Sequence, residues 1–177
     1  MKKIALAVLL STLVAVPAVA SDMYVGVRAG KATTSIDNTP LTDDSATGYG
    51  VFGGYSFSPM FAVEGEYLSM GEVKDSSISG VESSGFSLSG VGSFPIGEEF
   101  SLFGKLGYAK ITSKGTGTNA GGTDAKSSGV TYGLGGQYNV NSSVGIRAGW
   151  DKYKLDDATI GIKGDVSLIS VGGVFKF

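Results

Sequence analysis

The chain has 177 residues, one domain's worth, with no cysteine, no histidine, 29 glycines and a formal net charge of −2. The missing cysteine excludes a disulfide scaffold, a thiol nucleophile and any thiolate metal site, and the missing histidine removes the commonest general base and metal ligand. A mildly acidic chain without a basic block is no nucleic-acid binder, and 42% hydrophobic residues beside only four prolines fit neither collagen nor disorder.

Residues 1–20 read as a signal peptide. Met1, Lys2 and Lys3 form a positive start, 4–16 is apolar, and Ala18-Val19-Ala20 is a small-x-small cleavage site. The apolar run is broken by Pro17 and is shorter than the roughly 20 residues of a spanning helix, so removal is expected, leaving one domain at 21–177. Lys2 and Lys3 leave with it, which makes the mature chain more acidic.

From there the hydropathy alternates with period two, the pattern of strands with two unlike faces. In the first run Val25, Val27 and Ala29 oppose Tyr24, Gly26, Arg28 and Gly30. The second sets Tyr49, Val51, Tyr55 and Phe57 against Gly48, Gly50, Phe52, Gly54 and Ser56. The third sets Phe61, Val63 and Tyr67 against Ala62, Glu64 and Glu66. Phe86, Leu88 and Phe94 then oppose Ser87, Ser89, Val91 and Ser93. Phe100, Leu102, Leu106 and Tyr108 oppose Ser101, Phe103, Lys105 and Gly107. Tyr132, Leu134, Tyr138 and Val140 oppose Thr131, Gly133, Gly135, Gln137 and Asn139. Val144, Ile146, Ala148 and Trp150 oppose Gly145, Arg147, Gly149 and Asp151. The last run sets Ile169, Val171, Phe175 and Phe177 against Leu168, Ser170, Gly172, Val174 and Lys176.

That makes eight runs, each near the roughly 9–11 residues that cross a bilayer at a tilt, and an even number suits antiparallel closure. Short connections fall at Ser58-Pro59, 95–98 and Asn141-Ser142, and long polar ones at 33–47, 71–84, 112–128 and 155–160. Short turns on one side and long loops on the other fit an outer-membrane barrel with the long loops outside.

Which face meets lipid follows from residue size. A soluble barrel fills its interior with large apolar side chains. Here the large residues share a face with aromatics near the run ends, Tyr49, Tyr55, Tyr67, Tyr108, Tyr138 and Trp150, as interfacial girdles do; Tyr24 alone falls on the other face by parity. That other face is mostly glycine and serine, with charges at Arg28, Glu64, Glu66, Lys105 and Arg147. On the apolar face Lys31, Lys110 and Lys152 stand only at loop-proximal ends, where they can snorkel. The expected fold is all-β, an eight-stranded antiparallel transmembrane up-and-down barrel.

The run 50–59, GVFGGYSFSP, followed by 61–70, resembles the second hairpin of OmpA-type transmembrane domains. The likeness extends to 23–30, 104–108, 143–150 and the closing Val174-Phe175-Lys176-Phe177, in matching order and spacing. The chain is thus similar to the OmpA/OmpX-like, opacity-type small barrels of the "porin family". The resemblance implies the outer membrane of a Gram-negative bacterium, with membrane lipid and lipopolysaccharide as surroundings; a monomer is expected. It implies that the terminal Phe177 is read by the barrel insertion machinery. It also implies a lumenal salt-bridge cluster at Arg28, Glu64, Lys105 and Arg147, with Gln137 where an acidic residue is usual and Glu66 offsetting that loss. No peptidoglycan-binding segment follows Phe177, so a tethering role is not expected.

Charges in a narrow lumen need partners, so pairing among these five is expected; it serves either as a structural plug or as a gate for a small pore. Enzymatic small barrels use histidine, so no catalytic residues are expected, and no cofactor or metal. The acid pairs Asp43-Asp44 and Asp156-Asp157 read as solvated loop residues, although they would also bridge divalent cations to lipopolysaccharide. The expected role is structural or surface interaction, with adhesion, envelope integrity or contact with host or surface ligands through the loops. A narrow ion or small-solute channel is the alternative.

Overall fold

The computed structural model describes residues 22–36, 44–74, 80–116, 125–156 and 163–177; the expected signal peptide lies outside them. Eight strands follow in order: β1 Met23–Ile36, β2 Asp44–Ser58, β3 Phe61–Lys74, β4 Gly80–Ile96, β5 Phe100–Thr116, β6 Ala125–Asn139, β7 Val144–Asp156 and β8 Lys163–Lys176. Each pairs antiparallel with its sequence neighbour, and β1 closes on β8 from Tyr24↔Lys176 to Ile36↔Gly164. A closed ladder leaves no edge, which a strand in hydrocarbon requires because nothing there can satisfy a free backbone group.

The short turns are built by local chemistry. Ser58 Oγ accepts from the backbone N–H of Met60 and Phe61 at 3.3 and 3.1 Å, tightening the β2–β3 turn. Gly97, at φ 75°, takes the left-handed conformation between β4 and β5. Asn141 Oδ1 accepts from the N–H of Ser143 and Val144 at 2.9 and 2.8 Å between β6 and β7. Pro95 and Ile96, expected in a turn, instead finish β4, and Val140 sits in the turn after β6.

The strands run 13 to 17 residues, longer than the apolar bands that marked them. Most of the excess lies on the loop side, where β1 continues through Thr33, Thr34 and Ser35 and β5 through Thr112 and Ser113. These residues are all polar in sequence, so the hydropathy alternation stops while the backbone ladder continues beyond the apolar band. Much of what reads as loop at 33–47, 71–84 and 112–128 is therefore strand. Of the two acid pairs read as loop residues, Asp44 begins β2 and Asp156 ends β7, while Asp43 and Asp157 fall outside the described residues.

The two faces sort as the alternation requires. Val51, Phe61, Leu106 and Ile146 point outward and are 50%, 56%, 65% and 50% exposed, against 1% for Leu168 and 3% for Glu64 inside. Inside, two apolar clusters lie at different heights. Ala32, Leu68, Ala109, Ile111, Tyr153, Val166 and Leu168 pack together on the loop side. Tyr24, Phe52, Ala62, Val91, Phe103 and Val174 pack together on the turn side.

Leu106→Arg places a charge in the middle of the outward apolar band and should cost about 2–4 kcal/mol in chemical unfolding from lipid vesicles. The same change at loop-proximal Thr33 should cost less than about 1 kcal/mol.

Candidate functional site

Between the two apolar clusters sits a layer of six charges, all from the odd-numbered strands. Arg28 comes from β1, Glu64 and Glu66 from β3, Lys105 from β5, and Arg147 and Asp151 from β7. The partners at the same level on even strands are mostly small. Arg28 stands opposite Gly50 and Gly172, Glu64 opposite Gly54 and Ser89, and Asp151 opposite Gly133. The small residues make the room: a Cβ on Gly133 would lie 2.1 Å from Asp151 Oδ1, and one on Gly54 would lie 2.3 Å from Tyr24 Cζ.

Arg28 is the most connected cation. Its Nε donates to Glu66 Oε1 at 2.5 Å, its Nη1 to Asp151 and to Ser170 Oγ, and its Nη2 to the Tyr153 hydroxyl at 2.8 Å. Lys105 Nζ stands 3.0 Å from Asp151 Oδ1, 3.3 Å from Glu66 Oε2 and 3.9 Å from Glu64 Oε1. Arg147 Nη1 donates to Glu64 Oε2 at 2.6 Å, and its Nε to Gln137 Oε1 at 3.1 Å. The Tyr24 hydroxyl also donates to Glu64 Oε2, at 3.0 Å. The Arg147 guanidinium carbon lies 4.8 Å from the ring centroid of Phe103, 4.9 Å from Phe52 and 5.4 Å from Tyr24, so its charge is held by π-faces as well as by a carboxylate.

All five charged residues expected in the lumen are thus brought together. The sixth, Asp151, is the one that sequence reasoning placed on the inner face without counting it as a partner. It matters for balance: three cations now meet three carboxylates. Gln137, standing where an acid was expected, serves Arg147 as a neutral acceptor, and the carboxylate that completes the set is Asp151 as well as Glu66. The available signal was parity, since Asp151 lies four residues after Arg147 on one strand and therefore on the same face. Tyr153, two residues further on, was missed for the same reason.

The cluster fills the lumen. It leaves a void of about 20 Å³ lined by Arg28, Glu64, Lys105 and Asp151 among others, enough for a single water. Above it, toward the loops, Tyr153 and Leu168 are 2% and 1% exposed. Thr131 Oγ1 is the one buried side-chain polar atom without a hydrogen-bond partner among the described residues. Phe177, at the turn-side end, donates its backbone N–H to Met23 O at 3.0 Å and packs edge-to-face on Phe175 at 5.1 Å.

Residues 4–177 match the model of the outer membrane protein beta-barrel domain. The chain belongs to that family. It is a barrel of the Gram-negative outer membrane, so its short turns face the periplasm and its loop side faces out. Among solved structures, Neisserial surface protein A superposes with a TM-score of 0.73 at 19% identity, over 89% of this chain and 99% of that one. Ail of Yersinia pestis bound to the heparin analogue sucrose octasulfate gives 0.63 at 22% identity, over 88% and 99%. OprG of Pseudomonas aeruginosa gives 0.57 at 18%, over 89% and 97%. At these identities the likeness concerns the fold. No curated protein sequence matches the chain.

Removing one carboxylate should be costly. Asp151→Leu leaves Arg28 and Lys105 short of an acceptor, and we expect a loss of about 3–5 kcal/mol in unfolding from vesicles. Combining it with Lys105→Met restores the balance of charge, and the double variant should lose clearly less than the sum of the two single changes.

Proposed function

We propose that this protein is a closed, non-catalytic barrel whose work is structural and adhesive, done by the loop-bearing end it presents at the cell surface. The observation that carries this reading is the sequence of layers along the lumen. A buried apolar cluster at Leu168 and Tyr153 lies above a charge-balanced cluster that leaves room for about one water. An ion crossing there would have to displace both. The five lumenal residues expected from the sequence, with Asp151, then act as a structural plug that fixes the interior.

The outward rim supports contact with anionic outer-leaflet headgroups such as those of lipopolysaccharide. Lys31, Lys110 and Lys154 are exposed on the outward face near the loop side, and Lys152 pairs with Asp165 at 2.7 Å beside them. A surface ligand for the loops would be consistent with Ail, which has been captured with a heparin analogue. The barrel insertion machinery is the partner proposed for Phe177, and export with loss of 1–20 precedes that step.

One observation favours the narrow channel as a second reading. Lys105 lies within 4 Å of three carboxylates, so its ammonium has alternative partners if the pairing rearranges. Planar bilayers separate the two. The plug predicts near-zero conductance for the wild type and for Glu64→Lys, together with lost cell or glycan binding when segments 37–43 and 117–124 are shortened. Stepwise conductance that Glu64→Lys increases would establish the channel instead.

A further inference from the structure

On the turn side of the aromatic cluster the lumen widens into a cup of about 180 Å³ that opens toward the periplasm. Ser56, Pro59, Pro95 and Ser101 line it near the short turns, and Phe103 and Arg147 form its inner end. The cup is blind, because the ionic and loop-side apolar layers lie beyond that floor.

Its charge is one-sided. Arg147 and Lys176 line it, and no carboxylate does. Arg147 is compensated by Glu64 at 2.6 Å. Lys176 has no such partner. Its Nζ donates to Asn139 Oδ1 at 2.8 Å, a neutral oxygen that already accepts from Gln137 Nε2 at 2.9 Å. Every ion pair in the barrel's described residues is made by Arg28, Lys105, Arg147 or Lys152, and none by Lys176. An ammonium that is half-buried and met only by an amide oxygen keeps unspent donor capacity and a positive field in the cavity it faces. Serine hydroxyls at Ser56, Ser93 and Ser101 add neutral donors around the same space. The volume admits several waters or one phosphate-sized anion.

We propose that this cup is a binding site for a small oxyanion, phosphate or carboxylate, taken from the periplasmic side, with Lys176 as its charge partner. The site goes beyond the surface role proposed above and does not depend on it, since the anion enters from the opposite end and crosses nothing. Nothing covalent happens there. The occupant would neutralise the inward cation that, among the described residues, the barrel's carboxylates leave unmatched.

The test is a titration of the folded protein in detergent micelles, read by backbone amide NMR. Sodium phosphate, sodium acetate and sodium chloride are added separately at matched ionic strength. Saturable shifts in the millimolar range are expected at the amides of Ser101, Gln137, Asn139 and Lys176, with phosphate, acetate or both but not with chloride. Saturation with one of the two identifies which oxyanion the site takes. Lys176→Gln should weaken binding roughly tenfold, as expected for loss of one charge-assisted hydrogen bond, and Lys176→Arg should retain it. Heat-dependent gel mobility confirms that each variant is folded. Should Lys176→Gln fail that check, the wild-type thermal midpoint serves instead, and it should rise with the oxyanion but not with chloride. Shifts that grow linearly, match those of chloride or persist undiminished in Lys176→Gln would overturn the site.

Discussion

A backbone amide in hydrocarbon has only other backbone groups to bond to, and that constraint dictates the rest of this molecule. It forces β1 to meet β8, and closure divides every strand into an outward and an inward set. The outward set becomes apolar because it faces lipid. The inward set must fill a cylinder only wide enough for side chains. Bulky residues on one strand therefore face glycine or serine on the next, as Asp151 faces Gly133 and Glu64 faces Gly54. Inward glycines such as Gly54, Gly133 and Gly172 follow from that geometry, since a Cβ there would collide with a neighbouring strand or side chain.

The charged layer is a product of that filling. Replacing buried ion pairs with apolar side chains of similar size is often neutral or stabilising, so the six charges are poor candidates for the main source of stability. What they supply is definition. Arg28 links β1 to β3 and β7, Lys105 links β5 to the same two strands, and Arg147 ties β7 back to β3. None of these strand pairs are neighbours in the ladder. The links cross the lumen, where backbone bonds cannot, and a one-residue slip of any strand would turn its charges out into lipid.

The fold was legible because period-two hydropathy reports each crossing directly. Every inward residue named at the sequence level, from Tyr24 to Val174, lies on the inner face. Strand length was not legible, since beyond the apolar band Thr33 to Ser35 and Thr112 to Ser113 keep the ladder without keeping the alternation. Within the site, parity located Arg28, Glu64, Glu66, Lys105 and Arg147 but could not say which would touch. Register between non-adjacent strands decides that, and it brought Asp151 and Tyr153 into the cluster. The loop-side apolar cluster was the largest omission. Ala32, Leu68, Ala109 and Ile111 look like ordinary strand residues until closure gathers them, and they bear most strongly on whether the lumen conducts.

The absence of cysteine gives a clean background for the decisive measurement. Leu168→Cys and Ile169→Cys, neighbours on β8, are placed one at a time in the barrel reconstituted in vesicles. A lipid-soluble collision probe should reach position 169. A small water-soluble thiol reagent added from either side should fail to modify position 168, because the interior there is dry and closed. Rapid modification of Leu168→Cys by the aqueous reagent, or lipid contact at 168 in place of 169, would contradict the sealed, outward-apolar barrel described above.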